Sequence, residues 1–429
     1  MIGYSELESK ARLIYDKVEH TEVCSIGFWF LNGSVDENNE QKGYAHFIEH
    51  ILFKGTKNKT TSEIARCFDR IGSNFNAFTE KETTCFYCTF PSKHIEYAIN
   101  LLSEIIFSPL FEKSEIKKEK NVIISEIHEY EELPDENSYD LFLEKMWHPY
   151  SLGYKITGEI KDIKKIKQES LFNFYLDKYT PEKLIIAISG NFDVNKITDL
   201  LNKTLPIKNN PDAYDKDLTP YLPKRIKPES KYSFDYYYNP IKQIHINTGI
   251  AFPTPTEMKS YYVFLFFSTL IGESMSSRLF QKLREENGLC YSIYSYRSIF
   301  TGVSMWNIYA NTMPDIYHDF MTKLNAELSN LFLNKFNTPE IEDARTHLEG
   351  GIILSQEDME LRMKRLARHY IFNGKSYNFE ESTAMLNSVS LDDIYDFIGK
   401  NIVNKKFNTL IYGNTNKINC KEYDIMIKG

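Results

Sequence analysis

The sequence predicts an α+β protein made of two homologous domains, each a mostly antiparallel sheet packed with helices. Three observations carry that expectation. The 429 residues are too many for one ordinary core and suit two domains of about 200 residues each. Short patterns recur in order at nearly one offset. Phe111-x-x-x-Glu115-Ile116 returns as Phe336-x-x-x-Glu340-Ile341, 225 positions on, and Ser170-Leu171 before Tyr175 returns as Ser390-Leu391 before Tyr395, 220 on. Ile188-Ser189-Gly190-Asn191 returns as Ile411-Tyr412-Gly413-Asn414, 223 on. Each match is weak alone, and three in one order indicate a duplication. The third observation is the mixture of strand-like and helix-like stretches in the first half. The expected organisation is residues 1–208, a linker at 209–231, and residues 232–429. Pro206, Pro211, Pro220, Pro223 and Pro228 crowd the linker region among many Lys and Asp residues.

Element by element, Val23 to Leu31 is an apolar strand-like run that stops at Asn32-Gly33-Ser34. A short helix follows and ends at Gly55, and another opens on Ser62 as N-cap and stops at Gly72. Phe75 to Thr79 and Thr83 to Phe90 read as paired strands, and His94 to Phe107 as a long amphipathic helix. From Glu115 to Tyr130, the apolar residues Ile116, Ile123, Ile127 and Tyr130 fall on one helical stripe.

Hydrophobic residues make up 42% and charged residues 26%, ordinary globular values that exclude disorder, collagen and coiled-coil rods. The 51 basic and 59 acidic side chains leave a net charge of −8, with no basic block to bind nucleic acid or an anionic membrane. Residues 1–18 carry neither a signal-peptide apolar run nor transit-peptide character, and no stretch reaches membrane-spanning length. A soluble, cytoplasmic protein is therefore expected, and its six scattered cysteines are expected to be reduced core thiols. Cys85 and Cys88 form a single CxxC in a strand, where residues three apart point to opposite faces, and no second CxxC completes a four-cysteine site.

The segment that carries chemistry is His46-Phe47-Ile48-Glu49-His50. On a helix, His46 and His50 at i, i+4 project from one face, the spacing that lets two imidazoles share a Zn²⁺. Glu49 lies beside them and can act on water rather than metal. A chain of this composition supplies only about 0.03 such patterns by chance, with Asp allowed for Glu. The competing reading is two histidines on an ordinary helix. A zinc site needs a third ligand, and Glu119 and Glu126, two helical turns apart, share one face of a later helix. That pair also suits a solvated acidic face.

His46-Phe47-Ile48-Glu49-His50 with the later Glu126 resembles the pitrilysin family of zinc peptidases, which includes insulin-degrading enzyme and the mitochondrial processing peptidase. The resemblance runs almost end to end. It takes in Glu37, Gly43-x-Ala45-His46-Phe47-x-Glu49-His50-x-x-Phe53-Lys54-Gly55-Thr56, Asn76-Ala77-Phe78-Thr79 and Glu119-x-x-Val122-Ile123-x-x-Glu126. In the second half it covers Ser276-Ser277-Arg278-Leu279-Phe280, Leu283-Arg284-Glu285 and Gly288-Leu289-x-Tyr291-Ser292. It implies a zinc endopeptidase in which His46, His50 and Glu126 hold one Zn²⁺ per chain, Glu49 is the general base and Glu119 orients the site from behind. Asn76 and Ala77 would be the edge strand on which a peptide substrate lies, although Ala77 also suits a plain strand end. Arg284 and Tyr291 would hold the substrate and steady the developing oxyanion.

The resemblance further implies that one chain is half of a clamshell and that two chains enclose the peptide, as a homodimer or as a heterodimer with a related subunit. A non-catalytic structural subunit of the same family is the alternative from another class. All four residues of the metal-and-base set are kept here, which argues against it. Ile271 to Ser277 contains one glycine, unlike the glycine-rich loop of the non-catalytic partner of the mitochondrial peptidase, and the second half has no His-x-x-Glu-His. The acidic run of Glu129, Glu131, Glu132, Asp135 and Glu136 reads as solvated surface. Most of the Tyr and Phe residues are expected to fill two cores.

Overall fold

The computed structural model describes residues 1–207 and 229–429, so most of the expected linker 209–231 lies outside the described residues. The architecture is α+β with two sheets, as expected. The first sheet is formed by β1 (Ile2–Glu6), β2 (Arg12–Lys17), β3 (Val23–Phe30), β4 (Asn74–Thr79), β5 (Thr84–Pro91) and β6 (Leu184–Gly190), in the order β1-β2-β6-β3-β5-β4. The second contains β7 (Phe234–Tyr238), β8 (Ile244–Phe252), β9 (Ser292–Ile299), β10 (Ser304–Thr312) and β11 (Asn408–Gly413), in the order β7-β11-β8-β10-β9. The series β2-β6-β3-β5-β4 and β7-β11-β8-β10-β9 match strand for strand. Each contains one parallel pair, β2 with β6 and β7 with β11, among antiparallel neighbours. The duplication reaches single residues. Gly190 and Gly413 end equivalent strands at φ 137° and 138°, with a neighbouring backbone oxygen 2.4 and 2.5 Å from where a Cβ would stand. Only glycine fits both positions.

The compact units cut across the two contiguous stretches expected from sequence. One contains Met1–Glu129, Leu354–Asn378 and the described part of Tyr154–Pro223; the other contains Tyr130–Gly153, Phe379–Gly429 and the described part of Lys224–Ile353. In the first unit, one sheet face is covered by α1 (Tyr44–Leu52), α2 (Thr61–Arg70), α3 (Ile95–Phe107) and α4 (Lys113–Glu132). The opposite face is covered by the helix Met359–Asn373, which buries Met363, Leu366, Ala367, Tyr370 and Ile371 against Ile14, Trp29, Cys85, Ile185 and Ala187. Arg362 anchors that helix with Nη2 2.8 Å from Asp16. Layers on both faces explain why β3, β5 and β6 are apolar almost without alternation. In the second unit the corresponding cover is α5 (Pro134–Trp147), packed on β8 and β11, where Ser138 Oγ accepts a hydrogen bond from Asn247.

Three local expectations are corrected. The N-cap of α2 is Thr60, not Ser62: its hydroxyl accepts from the Glu63 amide while Glu63 reaches back to the Thr60 amide, a reciprocal box that Ser62 cannot make. Ile116, Ile123 and Ile127 are buried on α4, but Tyr130 is exposed, because the chain leaves the first unit there. All six cysteines are free, and Cys420 is exposed rather than part of a core. Cys85 and Cys88 lie on opposite faces of β5, in the two apolar layers. Among the described residues no helix is long and apolar enough to cross a membrane.

Candidate metal centre

Helix α1 carries the centre and is fixed at both its start and its apolar face. Gly43 caps it in the left-handed region, φ 83°, where a Cβ would stand 2.7 Å from the Thr157 carbonyl oxygen. The buried Glu37 carboxylate accepts from the amides of Gly43 (2.9 Å) and Ala45 (2.8 Å), donors with no partner inside the helix. Leaving such buried donors unpaired costs about 1–3 kcal/mol each. Burial pushes the Glu37 carboxyl up to about 8, against the pull of those two amides and of Lys81. Tyr44, Phe47, Ile48, Ile51 and Leu52 are buried in the core, so His46, Glu49 and His50 are turned together to the other side.

The three candidate ligands converge. His46, His50 and Glu126 each offer an atom within 4.8 Å of the other two. His46 Nε2 stands 3.6 Å from Glu126 Oε1, and His50 Nε2 stands 3.5 Å from Glu126 Oε2. Donors bound tetrahedrally to zinc at their usual bond lengths lie about 3.3–3.5 Å apart, so two imidazoles and a carboxylate gathered within 4.8 Å suit a zinc ion once they close in on it. Glu119 and Glu126 occupy one face of α4 but do different things. Glu126 reaches both imidazoles at Nε2, whereas the buried Glu119 meets His50 on its other nitrogen, Nδ1, at 3.2 Å and pairs with Lys54 Nζ at 2.9 Å. That outer bond fixes the tautomer that leaves His50 Nε2 as donor to a metal. The Nδ1 of His46 is buried without a hydrogen-bond partner among the described residues.

Electrostatics separate the two histidines. Burial, with the His50 charge adding, lowers His46 to about 4. Burial also opposes charge on His50, but the hydrogen bonds to Glu119 and Glu126 and the Glu49 charge overcome it and raise His50 to about 9. Burial pushes Glu49 above the usual carboxylate range, against a 2.6 Å hydrogen bond donated by Thr79 Oγ1 to its Oε2. An elevated carboxyl beside a potential metal site can collect a proton from water and release it again.

The remaining expected residues fall in two places. Asn76 and Ala77 lie on β4, which among the described residues pairs only with β5 and so forms a sheet edge; the Asn76 side chain accepts from the Ala77 amide at 2.8 Å. Arg284 and Tyr291 belong to the second unit, where the guanidinium stands 5.7 Å from the ring centre of Tyr291, itself 72% exposed just before β9. Three contributors carried no role in the sequence reading: Glu37, Lys54 and Thr79. All three stand inside the motif stretches, but nothing in spacing or periodicity tells which distant group each one meets.

Comparison with known proteins agrees with this fold. Residues 12–159 match the family described as Insulinase (Peptidase family M16), and residues 165–348 match Peptidase M16 inactive domain. The chain belongs to the insulinase, or pitrilysin, family of zinc peptidases. A Bacillus subtilis relative, named as the uncharacterized zinc protease YmxG, is 30% identical over 92% of this chain and 94% of its own length. Two solved structures share the fold: the M16 inactive domain from Pseudomonas fluorescens (TM-score 0.87, 17% identity, 98% of this chain and 99% of that one) and a protease from Helicobacter pylori (TM-score 0.85, 16% identity, 96% and 99%).

Proposed function

We propose that this protein is a zinc-dependent endopeptidase acting on peptides or unfolded segments, with His46, His50 and Glu126 as ligands of one zinc ion per chain. The observation that carries the reading is the convergence of those three donors beside Glu49, a half-buried carboxylate held by the Thr79 hydroxyl. When bound, zinc acts as a Lewis acid that polarises the scissile carbonyl and acidifies water. Glu49 takes the proton from water and delivers it to the leaving amine. Glu119 holds His50, and Lys54 balances the Glu119 charge. The open edge of β4 at Asn76 and Ala77 takes the substrate as an added strand through backbone hydrogen bonds. Arg284 and Tyr291 hold the substrate and steady the developing negative charge. In this reading the enzyme is cytoplasmic and works as a homodimer that encloses its peptide, with a heterodimer as the alternative assembly.

The test is elemental analysis of the purified chain together with cleavage of an unbiased peptide library. About one zinc per chain and chelator-sensitive internal cleavage are expected. Glu49→Gln should keep its zinc and lose hydrolysis, since the carboxylate acts on water and not on metal. A Glu49→Gln protein that cleaves at the native rate rejects the general-base role.

A further inference from the structure

Glu49 is half-buried on the helix that carries His46 and His50, and one of its carboxylate oxygens is held by a hydroxyl, that of Thr79. We propose that Thr79 is the positioning residue for Glu49, holding one carboxylate oxygen so that the other is presented to the reacting water; this rests on the peptidase reading above.

The backbone places Thr79 for that task. It is the last residue of β4, in register with Thr84 of β5. Alternation along β4 puts Phe75, Ala77 and Thr79 on one face. Phe75 packs there on Phe53, just after α1, and on Phe68 of α2, so Thr79 faces the helix that carries Glu49. Phe78 points the other way, against Trp29 and Tyr87. Beyond Thr79 the hairpin tip is clamped. The Glu80 amide bonds to the Thr83 carbonyl, and the amides of Ser34 and Val35 bond to the carbonyls of Glu80 and Lys81. Lys81 Nζ bonds to the Tyr154 carbonyl. Gly33 passes so close that a Cβ would stand 2.4 Å from the Glu80 oxygen. The strand thus has an open edge at Asn76 and a locked end at Thr79.

The chemistry requires such a donor. A hydroxyl has one proton to give, and Thr79 gives it to Oε2, leaving Oε1 as the acceptor for water. A bond from a neutral donor to a carboxylate is short and strong. Its 2.6 Å length restrains rotation of the carboxyl group, which a neighbouring dication would otherwise draw into its own ligand set.

Thr79→Val keeps the shape and removes the proton; Thr79→Ser keeps the proton. Thr79→Val is expected to lower kcat about 10- to 100-fold with KM and zinc content unchanged, and Thr79→Ser to recover most of the rate. A second measurement needs no metal and no activity. In denaturant unfolding of the zinc-free protein, Thr79→Val should shift the midpoint in the native background and not in Glu49→Ala, because the pair is coupled. Wild-type kcat in Thr79→Val, equal losses in the Val and Ser variants, or additive midpoints overturn the proposal. A wild-type protein without zinc-dependent hydrolysis rejects the peptidase reading instead, and the zinc-free cycle still decides whether Thr79 holds Glu49.

Discussion

At the scale of single residues, two carboxylates on one helix face differ in which nitrogen they meet, and this sets different costs for losing them. Glu126 spans His46 and His50 at Nε2, while Glu119 touches only the outer nitrogen of His50. Glu126→Gln should deplete zinc severely. Glu119→Gln, and Lys54→Met behind it, should weaken zinc affinity about 10- to 100-fold. Elemental analysis after dialysis against a weak chelator separates the two classes, and equal full occupancy in all three variants rejects the assignment. Protons give an independent check. With His50 raised to about 9 and His46 lowered to about 4, the two imidazoles at pH 7 are expected to share one proton beyond the neutral pair, on His50. Zinc must displace it. Uptake at pH 7 should release about one proton per ion, and affinity should rise with pH until about pH 9, then level off. Calorimetry in buffers of different ionisation enthalpy measures the number; zero protons released contradicts a charged His50.

At the scale of elements, the first unit depends on a helix that arrives from far along the chain. Met359–Asn373 covers a sheet face otherwise exposing Ile14, Trp29, Cys85, Ile185 and Ala187. A fragment of residues 1–207 should therefore present a large apolar patch, bind hydrophobic dyes and fail to retain zinc. Supplying a peptide of residues 354–378 should restore cooperative unfolding; a fragment that unfolds cooperatively alone, with native zinc content, contradicts this. The exchange of α5 and Met359–Asn373 was not legible in the sequence, because an amphipathic pattern marks a buried face but not the sheet it is buried on. What could be read was local. The strand at Val23, the His46/His50 face and the duplicated strand-ending glycines rest on period, spacing and backbone sterics within a few residues. The cap of α2 was misread by two positions because Thr60, Thr61 and Ser62 are all capping residues, and only Glu63, three beyond Thr60, selects among them. The bond from Thr79 to Glu49 joins groups thirty positions apart, which no local rule connects.

At the scale of the whole molecule, one chain carries both the proposed zinc-and-base set and the proposed Arg/Tyr pair, in separate units. A subunit specialised for a heterodimer would need only one of these sets. Possession of both suits a homodimer in which the zinc of one copy works with Arg284 and Tyr291 of the other. Two inactive variants distinguish that arrangement from a self-sufficient chain. Glu49→Gln lacks the base but keeps Tyr291; Tyr291→Phe lacks the phenol but keeps the base and all three ligands. Mixed under conditions that exchange subunits, random pairing makes about half of the dimers hybrid, and each hybrid contains one complete site. Mixing should then restore roughly a quarter of wild-type activity. The controls are each variant mixed with itself, which should stay inactive, and the same mixture without exchange, which should stay inactive until subunits redistribute. A chain whose site is complete within itself gives no recovery at any mixing ratio, as does an enzyme that is active as a strict monomer, and either result rejects completion in trans.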